Sequence, residues 1–243
     1  MKRWFAFLLI PVLLGSCNQK PAVEVMRIGE LEALIKNGDM TTHARLQDYV
    51  NSPHLYANGY VTNLRGFTQI IDSKPYTASV ENGQVKIDSS FNPEETLFLF
   101  ANVDAWKEFD LPPDIKTWKQ LEQFIGNMAM KYKVPKNYPS PFLLKGIAAD
   151  VKWRVIDWDP NDKVVTYKKT VQSGLHGELQ NEYITAIGFY STESYQVLAH
   201  KETNMHIHFV NHDHSIAGHV DDLTFDGGMK LYLPKKYAEP AKN

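Results

Sequence analysis

Five of the nine histidines fall between positions 206 and 219, in Met205-His206-Ile207-His208-Phe209-Val210-Asn211-His212-Asp213-His214-Ser215-Ile216-Ala217-Gly218-His219. Neutral imidazole is the commonest metal ligand among side chains. Read as a strand, Met205 to Val210 turns Met205, Ile207 and Phe209 toward a core and His206 and His208 toward the opposite face. Two imidazoles two residues apart on one face can reach the same metal ion. A third ligand would come from the next strand, beyond the polar 211–216 loop, and His219 is the natural candidate. Three neutral imidazoles with an open fourth position describe a catalytic zinc site rather than a structural one. Zinc so held polarises a carbonyl or holds an anionic oxygen. His212 and His214, in the loop, read as surface histidines or as a capture tract for free metal. His43, His54, His176 and His200 stand alone and read as surface or hydrogen-bonded residues.

The elements that must position this cluster are mostly strands. Glu30 to Lys36 has helical spacing and stops at Asn37-Gly38, and Met40 to Val50 is expected to form a second short helix. From Tyr56 to Phe100, runs rich in Val, Ile, Thr, Tyr and Phe alternate with turn signals at Asp72-Ser73, Glu81-Asn82-Gly83 and Asn92-Pro93, which predicts a β-meander. A helix is expected over 116–131, with Trp118, Leu121, Phe124, Ile125 and Met128 on one core-packing stripe. Strands are then expected at 142–144 and 151–157, separated by Gly146, and at 164–167, 183–190, 205–210, 218–225 and 229–233. The predicted class is mixed α and β, sheet-dominated, with two β-sheet regions and the metal site in the C-terminal half. The boundaries expected are 28–135 for the N-terminal sheet region and 136–243 for the C-terminal one.

Composition narrows the function classes. With 26 basic and 28 acidic side chains the net charge is −2, and 43% of residues are apolar. That is ordinary globular composition, without the basic surface that nucleic-acid binding needs. The single cysteine excludes an internal disulfide and any cysteine-based zinc or iron–sulfur framework. It stands at the end of a short apolar run. Lys2 and Arg3 precede apolar residues 4–14, too few to span a bilayer but suited to a secretory signal. Leu14-Gly15-Ser16-Cys17 resembles the lipobox of bacterial lipoproteins. That resemblance implies a signal peptide over 1–16, cleavage before Cys17, a lipid on Cys17 and a tether over 17–27. Asn18, rather than Asp, follows the cysteine. The expected address is the cell envelope, and the outer membrane in a diderm cell.

Around the histidines the sequence resembles the α-acetolactate decarboxylases. That family carries His-x-His-Phe, an acidic loop and Gly-His-Val. His206, His208 and His219 match its spacing, and Asp213 and Gly218 also fit. Ile187-Gly188-Phe189-Tyr190-Ser191, Phe142-Leu143-Leu144-Lys145-Gly146 leading to Val151-Lys152-Trp153-Arg154, and Leu233-Pro234 extend the likeness, as does Gly59 to Phe67 with Asp72 and Tyr76. Coverage runs from Ile28 to Pro234. The resemblance implies the family's two-part sheet fold, zinc on the three histidines, and Arg154 as the active-site arginine that orients a carboxylate or helps deliver a proton. It implies decarboxylation of 2-acetolactate to acetoin, or action on a related small 2-hydroxy-3-oxo acid. The departures are specific. Tyr60 and Phe67 stand where the family has an active-site threonine and glutamate, and Arg65 replaces an aspartate. The family's longer C-terminal region, with a further acidic residue, has no evident counterpart.

Those departures keep a second function open: an oxoacid- and metal-binding lipoprotein with weakened or absent catalysis, its pocket made aromatic by Tyr60 and Phe67. His-x-His is also a cupin feature, but cupins need a nearby glutamate and a distant last histidine, where this chain has Asp213 and His219. The expected partners are a small oxoacid and a membrane surface, with no nucleic acid. The sequence sets no oligomeric state.

Overall fold

The computed structural model describes residues 22–135, 138–193, 197–198 and 202–238. The signal peptide expected over 1–16, Cys17 and His200 lie outside the described residues.

The chain opens with β1 (Met26–Ile28) and α1 (Leu31–Asn37), which ends at Gly38 in the left-handed conformation (φ 65°). The expected helix over 40–50 does not form. β2 (Ala44–Arg45) pairs there with a later strand, and only a 3-10 turn follows over Leu46–Tyr49. The meander then runs through β3 (Leu55–Val61), β4 (Phe67–Ile71), β5 (Lys74–Glu81) and β6 (Gln84–Asp88), and β7 (Glu94–Asn102) returns beside β3. Together they make one antiparallel sheet in the order β1-β7-β3-β4-β5-β6, with β2 on the side of β7.

β8 (Trp106–Asp110) leaves this sheet for the second one. The division between sheets therefore falls before the helix and not after it. α2 (Trp118–Lys131) starts two residues later than expected, because Thr117 and Gln120 form a reciprocal cap. Its Leu121, Ile125 and Met128 are buried in the core of the second sheet. β9 (Ser140–Val155) is one continuous strand where two were expected, and it passes through Gly146 at φ 136°. The strand expected at 164–167 is instead the entry to α3 (Tyr167–Gln172), since the Thr166 side chain accepts from the Lys169 N–H and caps a helix. β10 (Leu175–Tyr190), β11 (Met205–Asn211), β12 (Ala217–Thr224), β13 (Lys230–Pro234) and α4 (Lys235–Ala238) complete the fold.

The second sheet runs β10-β11-β12-β9-β13-β8, and β10 also pairs with β9 along its whole length. β9, β10, β11 and β12 therefore close into a ring. Its inner side packs Phe142, Leu144, Ile207, Phe209 and Val220 with α2. Gly188 lies opposite Phe142 because a Cβ there would fall 2.1 Å from the ring. The outer side of the ring faces the first sheet, and Leu143, Ile187 and Phe189 pack there against Tyr60 and Phe67. Asn58 of β3 locks the two sheets together, its amide donating to the Ile187 and His206 carbonyls at 3.2 and 3.3 Å. No helix among the described residues is long and apolar enough to cross a membrane.

Candidate metal centre

All seven residues of β11 are buried, so His206 and His208 sit between the two sheets and not on a solvated face. Strand register supplies their neighbours. His208 pairs with His219 of β12, and His219 pairs with Arg154 of β9. The three imidazole centroids lie 4.8, 5.0 and 5.6 Å apart. Phe67 stands 5.0 Å from His208 and 5.6 Å from His219, Tyr60 stands 5.8 Å from His206, and the Arg154 guanidinium lies 5.8 Å from the Phe67 ring centre. The structure thus gathers His206, His208, His219, Arg154, Tyr60 and Phe67. It leaves out the loop histidines, since His214 packs on Tyr76 and His212 on Tyr183. Asp213 accepts from Ser215 within the loop. Arg65 pairs with Asp157 and is no part of the cluster.

The hydrogen bonds decide which ring nitrogens are free. His208 Nδ1 lies 2.8 Å from the Thr68 carbonyl, which can only accept, so Nδ1 carries the proton and Nε2 a lone pair. His219 Nδ1 lies 3.1 Å from Asp221 Oδ1, again an acceptor. His206 is held by a backbone hydrogen bond to Leu198. A ligating imidazole that gives its other N–H to a carbonyl or carboxylate has its tautomer and orientation set for metal. His206 Nε2 and His208 Nε2 face each other at 2.9 Å. Among the described residues no group of three His, Cys, Asp or Glu is already drawn close enough to hold a metal ion.

Burial sets the protonation. It pulls His208 down to about 3 and holds His206 and His219 well below the ordinary histidine range, with the Arg154 charge lowering all three further. The rings are therefore neutral at pH 7, the state a metal requires. Burial pushes Tyr60 up to about 12, so it keeps its phenolic proton. Arg154 is itself buried and paired with Asp221, and its Nε–H has no acceptor among the described residues. The cluster opens into a cavity of about 520 Å³, whose wall includes Leu34, Tyr60, Trp118, Tyr167, Arg154 and Asp221. A larger cleft of about 670 Å³ along α2 is lined by no histidine or arginine.

The chain matches the alpha-acetolactate decarboxylase family over residues 59–235. It belongs to that family. Among solved structures it resembles the α-acetolactate decarboxylase from Bacillus subtilis strain 168 at 16% identity, covering 86% of this chain and 85% of that one, with a TM-score of 0.68. A Staphylococcus aureus protein of unknown function, similar to α-acetolactate decarboxylase, gives 14% identity, 90% and 94% coverage and a TM-score of 0.68. The acetolactate decarboxylase from Bacillus subtilis subspecies spizizenii gives 17%, 86% and 85%, and 0.68. A comparison with curated protein sequences finds no match. Membership supports a carboxy-lyase in general terms, on the two-sheet fold described above.

Sequence reasoning missed the residues that hold the imidazoles. Asp221 was within its reach, because it stands two positions after His219 on the same strand. Thr68 and Glu95 carry no local signal. Glu95 of β7 is fully buried, with one oxygen 2.5 Å from the Thr68 hydroxyl, the residue whose carbonyl holds His208. Its second oxygen has no hydrogen-bond partner among the described residues. Burial raises Glu95 to about 8, against the Thr68 hydrogen bond, which lowers it. A raised carboxyl favours the folded state while both states are protonated, and that stability is lost as pH climbs from about 4.5 toward 8. Glu95 should therefore contribute a loss of up to about 1.4 kcal/mol per pH unit across that window, opposed below about pH 6.5 by the three buried histidines, whose lowered pKa values make stability rise with pH. Urea unfolding at pH 5 and pH 8 should show Glu95→Gln losing less stability, or gaining more, between the two than wild type does. The same change in both proteins would show that Glu95 makes no such contribution.

Proposed function

We propose that the chain is a zinc-dependent decarboxylase of 2-acetolactate or of a related small 2-hydroxy-3-oxo acid. The observation that carries this reading is the register His208–His219–Arg154, which sets two imidazoles and a buried guanidinium side by side on three strands. His206, His208 and His219 would hold the metal, and their donor set fits it: neutral rings, with the Nδ1 atoms of His208 and His219 already bonded to acceptors. Zinc there would supply a Lewis acid for the substrate's carbonyl and hydroxyl oxygens. Arg154, which lines the cavity, would bind the substrate carboxylate through its guanidinium. Breaking the carbon–carbon bond releases carbon dioxide and leaves its electron pair on the substrate, which then takes up a proton. Tyr60 lines the cavity as a phenol that stays protonated, with Leu34 and Trp118 as apolar wall beside it.

A second reading, oxoacid binding without turnover, is favoured by one observation: Tyr60 and Phe67 pack aromatic rings against the histidines where the resemblance expects a threonine and a glutamate. Carbon dioxide release from 2-acetolactate by zinc-loaded protein separates the two. The first reading expects release that His208→Ala abolishes, and a KM about 10–100-fold higher in Arg154→Lys, since an ammonium does not reproduce the guanidinium fork. Tight oxoacid binding with no product would select the second.

The lipobox-like Leu14-Gly15-Ser16-Cys17 supports attachment to the cell envelope through a lipid on Cys17, at the outer membrane in a diderm cell. Metabolic labelling with a palmitate analogue should mark the protein, and Cys17→Ser should abolish the label. Equal labelling of both would refute the anchor.

A further inference from the structure

Asp221 makes polar contacts with both halves of the candidate centre. Its Oδ1 is paired with Arg154 and lies 3.1 Å from His219 Nδ1. It reaches them because β12 is irregular at this point. Val220 pairs with Trp153 and Asp222 with Lys152, so Asp221 is an extra residue with no partner of its own on β9. A bulge of this kind breaks the ladder and re-aims one side chain. Here it turns a carboxylate back toward the cavity, whose wall it joins with Arg154, His206 and His219.

We propose that Asp221 is the positioning residue of this centre. Its carboxylate fixes His219 with Nδ1 protonated and Nε2 offered to the other two imidazoles. The same oxygen anchors the Arg154 guanidinium beside them, so metal ligand and carboxylate-binding cation are set by one group. The buried guanidinium also needs this anion, because an unpaired charge at that depth is costly. The inference rests on the zinc reading above for its consequence, though the ring geometry does not depend on metal.

The test uses Asp221→Ala, Asp221→Asn and, as a control for the change in charge, Asp222→Asn. Zinc affinity is measured by chelator competition, and the His219 tautomer is read in metal-free protein by histidine-selective nitrogen-15 NMR. Asp221→Ala is expected to bind zinc about 10–100-fold more weakly than wild type. Asp221→Asn, which can still accept from Nδ1, should lose less, and Asp222→Asn should match wild type. The His219 ring should be Nδ1-protonated in wild type and lose that preference in Asp221→Ala. Affinity in Asp221→Ala within threefold of wild type would overturn the proposal, as would an unchanged tautomer. Wild type that binds no zinc, with a tautomer that still follows Asp221, would overturn the zinc reading and leave the positioning role standing.

Discussion

The constraint on which the rest depends is the burial of the histidine face of β11 under a second sheet. A solvated imidazole satisfies its nitrogens with water; a buried one must find protein partners or carry an unmet polar group at a cost of about 1–3 kcal/mol. The first sheet supplies a partner. Thr68 offers its carbonyl to His208, and Asn58 fastens the backbone at His206 and Ile187. The N-terminal sheet thus acts as the outer shell of a centre whose candidate ligands all lie on the C-terminal one. Low dielectric keeps the rings neutral, and the nearby Arg154 charge reinforces that state.

The ring of β9, β10, β11 and β12 does the rest of the positioning. Pairing β12 between β11 and β9 brings residues 208, 219 and 154 into one row, although Arg154 lies far from the two histidines in sequence. The bulge at Asp221 then adds a carboxylate to that row. The cavity beyond mixes aromatic and apolar side chains with Thr170, Glu202 and Thr203. The small anion proposed above would set its charged end against Arg154 and the rest against Tyr60 and Trp118.

How far the sequence revealed this follows from the range of each interaction. Helix ends are local, so Gly38 after α1 and the apolar stripe of α2 were legible, as was the alternation of His206 and His208 with apolar neighbours. The strand expected at 164–167 failed because Thr166 caps a helix, a choice between two local signals that only the surrounding packing decides. β8 joins the second sheet through pairing with β13, more than a hundred residues away, which no local pattern announces. Arg154 entered through family resemblance alone, since its place beside His219 is a matter of register. Thr68 and Glu95 read as ordinary strand residues until the sheets are stacked.

The buried imidazoles, and not the loop histidines, are the proposed seat of one metal ion. Zinc-edge X-ray absorption on protein of measured zinc content distinguishes the two. One zinc per chain with three imidazole ligands is expected, lost in His208→Ala and retained when His212 and His214 are both replaced by alanine. Zinc that survives His208→Ala but disappears with the loop histidines would contradict it.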